Sequence, residues 1–367
     1  MTALADVPDL RPGTGPLLCA ARREDLAARR RLERAWTRGD LVRLAAGVYL
    51  PAPTWTALSP WDRSTASSAA LVLARPATVF TGLTAARLRG LPVALELPAL
   101  DLRATSPGHR GAAPLTSRPF SPALLATGGR LPRPPRRRPR WGLPQAPGTA
   151  PEPVEIRLSD GTGLGWGLAD APATLLLVLG AATPFRDAVA PLDVLLATHP
   201  EAQSWAQASE EALPTRAARE RLERTWSFAA AESESAGESY SRALMHELGF
   251  AAPTALQHRR RDATGREVAR TDFWWADARV AGEFDGIGKY DLGLHRGDDA
   301  ARRASIRREK EREVALQLVT RAVAHWTWED LRAPERLARI LTAAGVPRTV
   351  CPEPTDAQRH HRRAERR

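Results

Sequence analysis

Cysteine is almost missing from this 367-residue chain: Cys19 and Cys351 are the only two. They lie far apart, without His or Cys neighbours at zinc-ligand spacing, which excludes a disulfide scaffold and a structural zinc site. Lysine is as scarce, occurring only at Lys289 and Lys310, so arginine supplies nearly all the positive charge. Codon bias accounts for the arginine; the two lysines are chance survivors of it or positions where an ammonium is wanted. Long apolar runs are absent too. The longest, Ala171 to Ala182, contains Pro172 and falls short of the roughly 20 residues that span a bilayer. The start, MTALADVPDL, has no basic region followed by an apolar one and does not read as a secretory signal. The expectation is a soluble cytoplasmic protein with no membrane role.

What is present points to globular domains. The length matches two or three domains at roughly 100 to 200 residues each. With 31 prolines and 26 glycines the chain has many loops, yet 43% hydrophobic content is too high for wholesale disorder. The balance of 53 basic and 42 acidic residues gives a net charge of +11, which favours a polyanion such as nucleic acid as partner.

Residues 18–60 read as a basic helix followed by a ribbon. Leu26, Leu32 and Trp36 recur at helical spacing, while Arg22, Arg23, Arg29, Arg30, Arg31 and Arg34 supply the opposite surface. Val42, Leu44, Val48 and Tyr49 flank Ala45-Ala46-Gly47 as a two-stranded turn would. Two readings stand: a winged helix whose arginines Arg29, Arg30, Arg31 and Arg34 meet DNA phosphates, or a charged helix face that is merely solvated. GDLVRLAAGVYLP and the later FTGLTAARLRGLPV are similar to the N-terminal part of AbiEi-type antitoxins. That resemblance, over roughly residues 18–95, implies a winged-helix DNA-binding domain followed by a helical segment.

A helical or mixed segment is expected over 61–129. The tract RLPRPPRRRPR cannot form a continuous helix, because proline lacks the donor and clashes with the preceding turn; 130–153 therefore reads as a linker or exposed loop. Residues 154–228 regain apolar periodicity as a middle domain, and 347–367 form a basic tail.

Chemistry concentrates in 229–346. SAGESYSRALMHELG places Tyr240, Leu244 and Leu248 on one helical face, with Gly249 as the stop. Ser235 and Glu238 match a capping box, so Glu238 is either a cap or a chemical group. Strands follow at Ala255 to Arg261 and Arg266 to Trp275, then Arg279 to Asp285. A turn centred between Asp277 and Ala278 makes paired numbers sum to 555, which sets Asp272 opposite Glu283, with Asp285 on the same face. Paired residues have Cβ atoms about 4.5 to 5.5 Å apart, where two unit charges repel by roughly 3 kcal/mol at an effective dielectric near 20. A bridging cation removes that conflict, and oxygen ligands favour magnesium or manganese; the acids are otherwise simply exposed. Gly286, Gly288 and Lys289 follow closely enough for the ammonium to serve the same site.

ESYSR, TDFWW, GEFDGIGKY, REKERE and AHWTWEDL, in that order over roughly 230–345, resemble the very-short-patch-repair branch of the PD-(D/E)XK nucleases. The resemblance implies a restriction-endonuclease-like αβββαβ core and Mg2+- or Mn2+-dependent hydrolysis of phosphodiesters, with Asp272 and Glu283 as the two acids and Glu238 as the helix acid. Asp285 stands where the family's E-x-K pattern places lysine, and Lys289 takes the lysine's role. Glu309, Lys310 and Arg312 fall on the next helix, where a surface ion-pair network is the competing account. Thr327 caps a helix beginning at Trp328, and Trp326 and Trp328 read as core. The whole is expected to be an α+β protein: a winged-helix-like N-terminal domain, a helical or mixed middle and a nuclease-like C-terminal domain. Its function would be that of a DNA nuclease, with a toxin or defence-system protein as a candidate partner. The alternatives are a noncatalytic antitoxin-like regulator that binds DNA, and a partner-binding protein of phage defence.

Overall fold

A computed structural model describes residues 18–349 apart from 22–23, 108–110, 208–211, 214, 262–266 and 287–319. The fold is α+β with three sheets, and the chain divides into two compact units between Phe228 and Ala229. Among the described residues no helix is long and apolar enough to cross a membrane.

The first unit begins with β1 (Cys19–Ala20), α1 (Leu26–Arg38), β2 (Leu41–Ala45) and β3 (Val48–Pro51). The Asp25 carboxylate caps α1 by accepting the Ala28 N–H at 2.8 Å. Ala28, Leu32, Ala35 and Trp36 form the buried stripe of α1, and β1, β3 and β2 pair antiparallel in that order beneath it. Leu26 departs from the expected face and is 60% exposed. Two residues before Ala28, it sits about 200° round the helix from the stripe that faces the sheet.

There follow α2 (Ala52–Ala57), α3 (Pro60–Ala74), β4 (Val79–Phe80), α4 (Gly82–Leu88), β5 (Ala99–Arg103), β6 (Ala113–Pro114), α5 (Pro122–Leu125) and β7 (Arg136–Arg140). The unit closes with β8 (Glu152–Arg157), β9 (Gly163–Ala169), α6 (Pro172–Ala182), α7 (Phe185–Thr198), α8 (Ala202–Gln207) and α9 (Arg216–Phe228). A six-stranded sheet runs β6-β7-β5-β4-β9-β8, with β5/β7 and β4/β9 parallel and the other neighbours antiparallel. Segments 61–129, 130–153 and 154–228 thus all contribute strands to one sheet. The basic tract expected to be a linker carries β7. Proline is tolerated there because β6 pairs only with Arg136 and Arg137, so Pro139 has no ladder partner on that side. The arginines are held as well: the Arg138 guanidinium donates to both oxygens of buried Asp101 at 2.6 and 2.9 Å. Arg103 and the Thr81 hydroxyl likewise close on buried Asp170.

The second unit contains α10 (Ala236–Glu247), β10 (Ala255–Arg261), β11 (Glu267–Trp275), β12 (Val280–Asp285), β13 (Ala322–Thr327), α11 (Trp328–Arg332) and α12 (Pro334–Ala344). Its sheet runs β10-β11-β12-β13, antiparallel at the first two junctions and parallel at the third. Ser235 caps α10 by accepting the Glu238 N–H at 3.2 Å. Thr327 and Asp330 form a reciprocal capping box at α11.

Alternation along the strands separates two faces. Phe273, Trp275, Gly282, Phe284 and Trp326 share the face that packs on α10, and the indole N–H of Trp326 donates to the Ser241 hydroxyl at 2.8 Å. Two glycines permit that packing. A Cβ on Gly237 of α10 would stand 2.0 Å from Phe284 Cε1, and one on Gly282 would stand 2.7 Å from Trp326 Cη2. Trp326 is core, as its sequence context suggested.

Candidate active site

The register of β11 and β12 pairs Phe273 with Gly282, Trp274 with Ala281 and Trp275 with Val280. Each pair sums to 555, so continuing the ladder by one step sets Asp272 against Glu283. There the regular ladder ends, because the Phe284 N–H donates instead to Asp272 Oδ2 at 2.8 Å. The parallel junction sets Glu283 against His325 and Asp285 against Thr327. On the other side, β10 pairs Leu256 with Phe273 and His258 with Thr271, bracketing Gln257 opposite Asp272. Extended by one step at β10 and β11, the registers line up Gln257, Asp272, Glu283 and His325 across the four strands, of which Glu283 and His325 are paired directly.

Glu238 joins this row through Gln257. The Gln257 amide donates to Glu238 Oε2 at 2.7 Å and, more weakly, to Asp272 Oδ1 at 3.4 Å. Glu238 is only 8% exposed and also accepts from the Ser235 hydroxyl at 2.8 Å and the Glu234 N–H at 3.1 Å. The cap reading holds in half: the Ser235 hydroxyl accepts the Glu238 N–H, but the Glu238 carboxylate takes the Ser235 hydroxyl and the Glu234 N–H, not the N-cap N–H of a full capping box, and it lies beside the strand acid.

Burial is the largest influence on Asp272 and pushes its carboxyl up from 3.8 to about 6. The charges of Glu238 and Glu283 push in the same direction, while the bonds from the Phe284 N–H and Gln257 pull it back. Glu283 is 5% exposed. Asp285 lies one row further along the same face, and its Oδ2 is 3.6 Å from His325 Nδ1.

Gln257 holds this position at a conformational cost. It has φ of 48° in mid-strand, the left-handed region that costs a non-glycine residue about 1–2 kcal/mol. Neither Gln257 nor His325 was found by sequence reasoning. His325 stands 42 positions after its neighbour Glu283, joined by parallel pairing that no local pattern announces. Lys289, Glu309, Lys310 and Arg312 lie outside the described residues.

The chain matches no protein-family model, no curated protein and no solved structure.

Among the described residues, no three His, Cys, Asp or Glu side chains gather as a ready-made metal cage. Magnesium does not ask for one: it keeps several waters and commonly binds through one or two carboxylates together with substrate phosphates. Asp272 and Glu283 are hard oxygen donors in neighbouring positions, and the charges of Glu238 and Glu283 add to burial in raising the Asp272 carboxyl, so the pair has the donor chemistry that suits a divalent cation. His325 beside Asp285 adds the side chain most used for proton transfer.

In the first unit, Arg29, Arg30, Arg31 and Arg34 are all exposed along α1. Arg43 of the neighbouring hairpin is held differently, donating to both oxygens of Glu33 at 2.7 and 2.6 Å and lying 4.1 Å from the Trp36 ring centroid. The helix thus offers solvent-facing guanidinium groups, while the ribbon's arginine is internally paired.

Proposed function

We propose that the second unit is a restriction-endonuclease-like nuclease that hydrolyses phosphodiester bonds, with DNA as substrate. The observation that carries this reading is the nearness of Asp272 and Glu283, one step beyond the β11–β12 ladder and close enough for their charges to interact, with Glu238 joined to Asp272 through Gln257. Asp272 and Glu283 would hold Mg2+ or Mn2+, with Asp285 the next carboxylate on the face; a cation there would supply positive charge against the phosphodiester oxygens. Glu238 fixes the outer edge of the acid set from the helix terminus. The Phe284 N–H fixes one Asp272 oxygen, leaving the carboxylate restricted in rotation. His325, beside Asp285, can carry a proton at the same face. Lys289 is proposed, from the sequence alone, to orient water or balance charge.

The first unit would supply nucleic-acid affinity through Arg29, Arg30, Arg31 and Arg34 in a winged-helix-like module, of the kind the antitoxin resemblance implies; a toxin or defence-system partner belongs to the same reading. Purified protein is expected to nick or cut DNA with magnesium. Asp272→Ala and Glu283→Ala are expected to abolish cleavage while retaining DNA binding. Equal cleavage by either variant removes the assignment.

A second reading has its own support: Asp272 and Glu238 are both held by protein donors, the Phe284 N–H on one and the Ser235 hydroxyl and Gln257 amide on the other. A noncatalytic DNA-binding regulator would keep those acids as structural groups. Metal-independent DNA binding without cleavage selects that reading.

A further inference from the structure

The Gln257 amide nitrogen lies between two carboxylates, 2.7 Å from Glu238 Oε2 and 3.4 Å from Asp272 Oδ1. A neutral donor there lets two acids approach without adding a charge that would compete with a cation for them. A lysine in its place would cancel one of the two negative charges and compete with a cation for them; a carboxylate would add a third repelling charge. The strand conformation is unusual at the same residue. Gln257 and Arg279 are the two non-glycine residues with positive φ among those described, and Gln257 is the residue skipped between the Leu256–Phe273 and His258–Thr271 pairs. The departure from the ladder thus coincides with the residue whose side chain reaches both acids. Strain retained at one residue of a strand fits a residue selected for where its side chain points.

We propose that Gln257 is a positioning residue that sets the spacing of Glu238 and Asp272 and readies the acids for a divalent cation. This rests on the hydrolytic reading of the site. Its action is through the two carboxylates and not on the substrate. Partners that orient metal-binding groups are typically worth about 10- to 100-fold in metal affinity or activity.

The test uses the full chain with Gln257→Gly, which removes the amide and accepts positive φ without strain, and Gln257→Asn, which tolerates that φ but is one methylene too short to span both acids. Arg279→Gly relaxes the other left-handed residue, on the turn after β11, and serves as the control. Calorimetric titration with Mn2+ in the absence of nucleic acid is read beside Tm, then Mg2+ dependence of cleavage. For both Gln257 variants the expected result is metal binding weakened about 10- to 100-fold and a matching shift in the Mg2+ needed for half-maximal cleavage. Gln257→Gly should keep or raise Tm, and Arg279→Gly should leave metal affinity unchanged. Wild-type affinity in both Gln257 variants overturns the positioning role and leaves the nuclease reading standing. So does weakening that tracks a fall in Tm and is shared by Arg279→Gly. A wild-type chain that neither binds Mn2+ nor cleaves removes the hydrolytic reading, and this inference with it.

Discussion

Replacing Asp272 with asparagine should stabilise the second unit, and only above a defined pH. The carboxyl is moved from 3.8 to about 6, chiefly by burial and then by the neighbouring charges of Glu238 and Glu283. A folded-state value above the unfolded one means that folding favours the protonated form. The stability contribution is therefore complete below about pH 3.8 and is lost as pH rises through about 6. At about 1.4 kcal/mol per pH unit, the loss approaches ~3 kcal/mol on the alkaline side, and about 2 kcal/mol after allowance for the partial exposure of Asp272. Asparagine keeps an oxygen to accept the Phe284 N–H, now 2.8 Å from the carboxylate, and gives up only the long 3.4 Å bond that Asp272 Oδ1 accepts from the Gln257 amide. The measurement is hydrogen exchange by mass spectrometry on peptides covering 236–247 and 280–285, comparing both proteins in the full chain at each pH without divalent ions. Asp272→Asn should match wild type near pH 4 and exceed it by about 2 kcal/mol at pH 8. A gap that does not change with pH, or a variant less protected at pH 8, refutes the electrostatic account of this site.

Two further outcomes follow from the first unit. Asp170→Ala leaves Arg103 beside a buried vacancy and should cost about 3–5 kcal/mol in urea unfolding, as removal of one member of a buried ion pair does; a loss under about 1 kcal/mol would show the pair to be dispensable. Arg29→Glu, Arg30→Glu and Arg34→Glu together should leave Tm within about 2 °C, because all three side chains are exposed. The same triple variant should reduce the salt slope of DNA binding by about 0.9 for each phosphate that is no longer neutralised; an unchanged slope removes α1 from the interface.

Legibility in the sequence depended on how local each signal was. The β11–β12 register could be read because a short turn and strict alternation tie Asp272 to Glu283 within a dozen residues. The Ser235 and Thr327 caps were legible for the same reason, since each cap pairs with a side chain three residues on. Gln257 was hidden because its role depends on a left-handed backbone that strand propensity argues against. His325 was hidden because its neighbours on the face come from a strand more than thirty residues earlier. At β7, arginine and proline composition suggested solvent, whereas Asp101, 37 residues before Arg138, supplies the charge that settles the strand in the sheet. Leu26 was misjudged by helical phase: apolar character alone does not say which side of a first turn faces inward.

Gly237 immediately precedes Glu238, and its bare Cα is what lets the aromatic edge of Phe284 come so close. The depth at which the helix rests and the distance the acid can extend are consequently one mechanical quantity. A single methyl at position 237 would act as a shim, lifting the helix terminus off the sheet and carrying the carboxylate away with it, although the methyl itself would point into the aromatic packing and never touch the acids.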